Sequence, residues 1–139
     1  MTWNDPPPTQ NVQADADPVD HFSSTQLQEG NINATLSWQF DLTELTFSAL
    51  VILLDGTTIA GVNYQRSGTE PGFENKFGID WIPNQHYVKL IIFNVTIEEN
   101  GTFTSRVATD AVTGFGSFTF QSIVQVDVVG KLQVKFRYL

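Results

Sequence analysis

The sequence predicts an antiparallel all-β sandwich or barrel. Three observations carry this expectation. The chain is rich in Thr, Val, Ile and Phe, with 11 Phe among 139 residues, and these are strand formers. Apolar residues recur with period two from about residue 21 onward, and no segment shows a sustained helical period with caps. Turn signals punctuate the chain every ~8–12 residues, which gives about eight strands. A chain of 139 residues that is 41% hydrophobic suffices for one domain with its own core.

Residues 1–21 differ from the rest. Pro6, Pro7 and Pro8, several Gln and Asn, and Asp5, Asp15, Asp17 and Asp20 occur before any Lys or Arg. This composition predicts a flexible or polyproline-like acidic leader. Asp15, Asp17 and Asp20 also suggest calcium ligands. No Gly turn or bidentate Glu completes a loop, however, and Pro18 follows Asp17 directly, so no metal site is expected.

The strands follow in order. Ile32, Ala34, Leu36, Trp38 and Phe40 fall on one face, and Asn33, Thr35, Ser37 and Gln39 on the other, as in a half-buried strand. Leu45 to Leu54 is apolar almost throughout and reads as a strand buried on both faces. Asp55-Gly56 is a tight-turn signal, and Thr57 to Tyr64 forms the second arm. Arg66 to Gly72 reads as a loop, and Phe73 to Trp81 alternates until Pro83-Asn84 ends it. His86 to Val95 is a strongly apolar strand, Glu98 to Gly101 a turn, Thr102 to Ala108 a strand and Asp110 to Gly116 a loop. In the last strand Phe118, Phe120, Val124, Val126 and Val128 share one face. The basic, alternating segment 131–139 fits a C-terminal extension of that strand, a lead into a next domain, or an appended tail.

One stretch is more specific. Leu90, Ile92 and Val95, then Glu99, Gly101, Phe103 and Ser105, follow the spacing L-x-I-x-x-V, three residues, D-x-G-x-Y-x-C. This resembles the E–F region of immunoglobulin variable-type (V-set) domains. Upstream, Glu29-Gly30 and Ala34-Thr35-Leu36-Ser37-Trp38 resemble the strand B motif, with one extra residue before the Thr and Trp38 at the first Cys position. Trp38 and Ser105 lie 67 residues apart, a separation that suits the family. Asn75-Lys76-Phe77 is similar to the basic-Phe pair that opens strand D, which implies a Lys76–Glu99 ion pair. The wording of Phe73–Phe77, Trp81–Gln85 and Ile91–Thr96 resembles the immunoglobulin-like ectodomains of cnidarian cell-surface proteins, among them allorecognition and adhesion receptors. The resemblance covers residues 22–130 and implies an immunoglobulin-like antiparallel sandwich. It departs from the family in one respect above all. The chain has no Cys, so the inter-sheet disulfide is absent. The strand C tryptophan is missing as well, and an indole at Trp38 is expected to fill both volumes. Ser105, at the second Cys position, has no such logic in an apolar core.

Composition excludes several functions. A net charge of -8 argues against nucleic acid and against an anionic membrane surface. No apolar run approaches the ~20 residues of a membrane span. The segment Met1–Asp5 has neither the basic region nor the apolar block of a signal peptide, which leaves a cytosolic chain and a mature ectodomain fragment both open. No enzyme is expected. His21 and His86 are the only histidines, and no nucleophile elbow or phosphate loop occurs. Glu98 and Glu99, if extended, point to opposite sides and cannot act as a paired acid and base. No cofactor is implied.

Three sequons, at Asn33, Asn94 and Asn100, suggest a glycoprotein of the extracellular space or cell surface. The function expected is an extracellular recognition and adhesion module that binds another protein, its own kind included. The family resemblance implies binding through the front sheet, on or near which Tyr64, Arg66, Thr104 and Arg106 would fall. The alternatives are a carbohydrate-binding sandwich, in which Trp3, Trp81 or Tyr87 stacks on sugar rings, and a structural repeat of a larger ectodomain.

Overall fold

The computed structural model of the chain describes residues 1–5, 10–11 and 21–130. Alternating and apolar segments there form β1 (Thr2–Asp5), β2 (Gln10–Asn11), β3 (His21–Gln28), β4 (Ile32–Asp41), β5 (Leu45–Leu54), β6 (Thr57–Asn63), β7 (Ser67–Thr69), β8 (Phe77–Ile82), β9 (Tyr87–Asn94), β10 (Gly101–Ala111) and β11 (Ser117–Val129). They make two sheets that pack face to face as an all-β sandwich. The smaller has the order β1-β4-β9-β8 and the larger the order β2-β3-β11-β10-β5-β6-β7. Pairing is antiparallel throughout except between β3 and β11, which run parallel from His21↔Ser122 to Gln28↔Val129.

The inner faces carry the core. Leu36, Trp38, Phe40, Phe77, Val88, Leu90 and Ile92 of the smaller sheet meet Leu50, Ile52, Ile59, Val62, Phe103, Val107, Val124 and Val126 of the larger. Trp38 is wholly buried, midway along β4. Phe77 and Phe103 pack edge to face at 6.3 Å, the preferred arrangement for two ring quadrupoles. Ser105 is also wholly buried, and its hydroxyl has no hydrogen-bond partner among the described residues.

Several expectations need correction. Part of the expected leader is sandwich: β1 pairs with the end of β4, and Trp3 is buried with its ring edge-on to Phe40 at 5.4 Å. The candidate calcium ligands Asp15, Asp17 and Asp20, and the extension 131–139, lie outside the described residues. Within the expected loop Arg66–Gly72, Ser67–Thr69 adds a short edge strand to β6. Strand β8 begins only at Phe77, because Phe73 closes a turn in which its carbonyl accepts from the Lys76 and Phe77 N–H groups. Strand β5 is buried on its inner face at Leu50 and Ile52, while on its outer face Leu53 is buried and Ala49 and Val51 are only partly so. Ile32 is 68% exposed despite its place in the pattern. Asn33 beside it takes a left-handed φ of 57°, which breaks the alternation at the strand start.

These contacts set the expected response to mutation. Trp38→Ala is expected to lower stability by about 3–5 kcal/mol, the range for deleting a buried aromatic. Ser105→Ala removes an unpartnered buried hydroxyl and is expected to raise stability by about 1 kcal/mol. Urea melts of both variants check this; a Trp38→Ala loss below about 1 kcal/mol, the scale of a surface change, contradicts it.

Candidate functional site

Antiparallel register places the connections at two ends. One end, called here the loop end, carries 42–44, 64–66, 83–86 and 112–116. There Gln39 pairs with Tyr87, Ile82 with Tyr87, Leu45 with Ala111 and Asp110 with Ser117. The far end carries 29–31, 55–56, 70–76 and 95–100, where Ile32 pairs with Asn94 and Leu54 with Phe103.

At the loop end four aromatic rings pack across the sheets. Phe40 stacks on His86 at 5.2 Å, and Phe47 stacks on Trp81 at 5.0 Å. A 3₁₀ turn at Pro83–Gln85 delivers His86, which takes a left-handed φ of 47° before β9 begins. Phe47, Trp81 and His86 are only half-buried, and they floor a cleft of about 430 Å³ rimmed by Tyr64 and Arg66. Asn63 Oδ1 accepts from the Gln65 and Arg66 N–H groups at 2.8 and 3.0 Å and so shapes the rim loop. Sequence reasoning missed this cleft. Its rings are scattered along the chain, and only cross-sheet packing joins them.

A second hollow, of about 440 Å³, lies over the larger sheet. Gly61 pairs with Val51 on one side and Gly68 on the other, so a row without large side chains forms its floor. Arg66 lines this hollow too. The same row continues through Val51 to Arg106, whose Nε donates to Gln121 Oε1 at 3.0 Å. Thus Thr104 and Arg106 lie on the larger sheet, Arg66 lies between its face and the loop end, and Tyr64 belongs to the loop end, 83% exposed.

Other expected positions divide as follows. Trp3 is buried and offers no platform for a sugar. Tyr87 is half-buried and its hydroxyl donates to Ser37 Oγ at 3.0 Å. Trp81 is half-buried and lines the cleft. Among the described residues no group of three or more His, Asp or Glu is placed to hold a metal. The sequon asparagines Asn33, Asn94 and Asn100 are exposed, and all three sit at the far end.

The far end is held by charge. Ile97–Glu99 form a 3₁₀ turn rather than an extended segment, so Glu98 and Glu99 both reach Lys76, contrary to the expectation that they diverge. Glu99 is buried; its Oε1 accepts from the Thr96 N–H at 2.7 Å and the Thr96 hydroxyl at 3.1 Å, and its Oε2 lies 3.3 Å from the Lys76 ammonium. The hydrogen bond that Lys76 donates to Glu98 raises the Lys76 pKa, with Glu99 adding to the rise and partial burial opposing it.

No protein-family model matches the chain, and no curated protein matches it significantly.

Because Glu99 is buried, its partner matters more than in a surface pair. Lys76→Met is expected to cost about 3 kcal/mol at neutral pH, the low end of the range for stripping one member from a buried pair, since the ammonium itself is partly solvated. A raised lysine pKa stabilises the fold fully below the unfolded value of about 10.4 and is lost as pH rises through the folded value. The gap between wild type and variant is therefore expected to persist at about pH 9 and shrink at about pH 11. Urea melts across that range check it; a gap that is constant with pH contradicts it.

Proposed function

We propose that this chain is a variable-type immunoglobulin-like recognition domain that binds another protein, its own kind included, at the cell surface through the outer face of the larger sheet. The strand order supports the fold reading. A smaller sheet β1-β4-β9-β8 faces a sheet in which β6 and β7 continue outward from β5, and variable-type domains carry two such extra strands beside their third strand. The larger sheet also receives β3 beside β11 in parallel, so residues near the start of the chain contribute to both sheets.

The observation that carries the binding surface is the hollow over Gly61 and Gly68. It opens on the outer face of the larger sheet, with Arg66 at its rim and Arg106 in the same cross-strand row. Arginine is enriched among the residues that dominate interface energies. At -8 two copies repel at long range, so contact between them needs local cations opposite acids. A contact below about 1,200 Å² is weak alone and gains avidity from many copies on opposing surfaces. The sequons fit an extracellular setting and leave this face clear.

Beads coated with wild-type domain are expected to cluster, and beads coated with the double variant Arg66→Glu, Arg106→Glu to stay dispersed with an unchanged melting temperature. Equal clustering by both, or none by either at any coating density, contradicts the reading.

A further inference from the structure

Among the described residues eight large hydrophobic side chains are exposed, and five of them, Tyr64, Ile82, Val112, Phe115 and Phe118, belong to the loop end. Phe115 is fully exposed at the tip of the β10–β11 loop and buries nothing within its own fold. Val112, Phe115 and Phe118 fall within seven residues around that loop, an exposed apolar tip of the kind that marks an interaction surface. On the same end the aromatic cleft of Phe47, Trp81 and His86 stands open. A protruding ring and an aromatic-floored hollow of one molecule are thus complementary to each other, yet lie on opposite flanks. The cleft belongs to the β6–β7 and β8–β9 connections and the ring to β10–β11, with β5 between β6 and β10 in the sheet.

Charge follows the same division. Arg66 rims the cleft and makes no ion pair among the described residues. Asp110 lies beside the Phe115 loop, exposed; its Oδ1 accepts from the Ser117 hydroxyl at 2.9 Å, and it has no cationic partner among the described residues. Glu44 adjoins that loop, its carbonyl accepting from the Val112 N–H at 3.1 Å. Among the described residues one flank therefore carries a hollow and a cation outside any ion pair, the other a protruding ring and acids outside any ion pair.

We propose that this end docks on the same end of a second copy of the chain. A two-fold axis lying in the interface brings each flank against the opposite flank of the other molecule, so every contact is made twice. Phe115 of each copy enters the aromatic cleft of the other, and Arg66 of each faces the other's Asp110. The local charge pairs offset the long-range repulsion between two chains of charge -8. The three sequons stand at the far end, so carbohydrate there leaves the docking surface bare. This contact shares Arg66 with the sheet-face surface and differs from it in Phe115 and the cleft rings, none of which line the sheet-face hollow.

Sedimentation velocity of the chain over a concentration series tests it. The wild type is expected to form a reversible dimer. Phe115→Ser and Arg66→Glu are each expected to weaken it by about tenfold or more, as loss of a central contact does, whereas Arg106→Glu is expected to leave it intact. Asp110→Arg alone is also expected to be monomeric. An equimolar mixture of Arg66→Glu and Asp110→Arg chains is expected to dimerise like the wild type, because each cross-molecule pair is then again opposite in charge. A wild type that is monomeric throughout, a Phe115→Ser chain that dimerises normally, or a mixture that stays monomeric overturns the proposal. Loss of dimer with Arg106→Glu but not with Phe115→Ser overturns it too, and moves the self-contact to the sheet face.

Discussion

The burial of Trp38 between two sheets with no covalent link is the contact on which the rest of the structure depends. The chain has no Cys, so nothing but packing joins the sheets at mid-height. A wholly buried indole there removes a large apolar area from water, on the order of 150–250 Å² for such a side chain. Around it Phe40, Phe77 and Phe103 are likewise wholly buried. The core is not free of cost. Among the described residues the indole N–H groups of Trp3 and Trp38 and the hydroxyls of Ser23 and Ser105 are buried without partners. Each opposes folding by a desolvation penalty of about 1–3 kcal/mol. Apolar area and ring contact, rather than a polar network, therefore determine that the sheets stay together.

The two ends of the sandwich are organised by different physics. At the loop end the core's aromatic packing runs outward: Phe40 is wholly buried, Phe47, Trp81 and His86 are half-buried, and the cleft opens beside them. A floor of stacked rings shapes that cleft. The far end relies on the buried Glu99 carboxylate, which joins the β9–β10 turn to Lys76 ahead of β8. At the same end the close approach of Asp55 to Gly101 leaves no room for a side chain on the glycine. A Cβ there would lie 2.5 Å from the Asp55 carboxylate, which accepts from the Thr102 N–H at 2.8 Å.

Much of this was legible in the sequence where physics is local. The alternation of Leu36, Trp38 and Phe40 sets the inner face of β4, and the turn signal from Glu98 to Gly101 marks the connection between β9 and β10. What was not legible depends on contacts distant in the chain. Trp3 sits beside prolines in an acidic segment, and nothing nearby shows that it joins the core. Ser67-Gly68-Thr69 has turn composition and becomes a strand only because β6 offers an edge. Glu98 and Glu99 diverge if extended, and only the 3₁₀ turn turns both toward one lysine. The cleft gathers Phe47, Trp81 and His86 from different strands and both sheets, so no window of sequence contains it. Arg66 was identifiable as one of few cations, but its place between two hollows is a property of the fold.

Native-state hydrogen exchange tests most directly whether packing alone makes the two sheets a single cooperative unit. The slowest amides of β4 and β9 in the smaller sheet, and of β5 and β10 in the larger, are expected to exchange with the same opening free energy, equal to that of global unfolding, while β1 and β7 at the edges exchange faster. If β5 and β10 stay protected under conditions in which β4 and β9 exchange freely, the sheets open independently, and the Trp38-centred core does not hold them together.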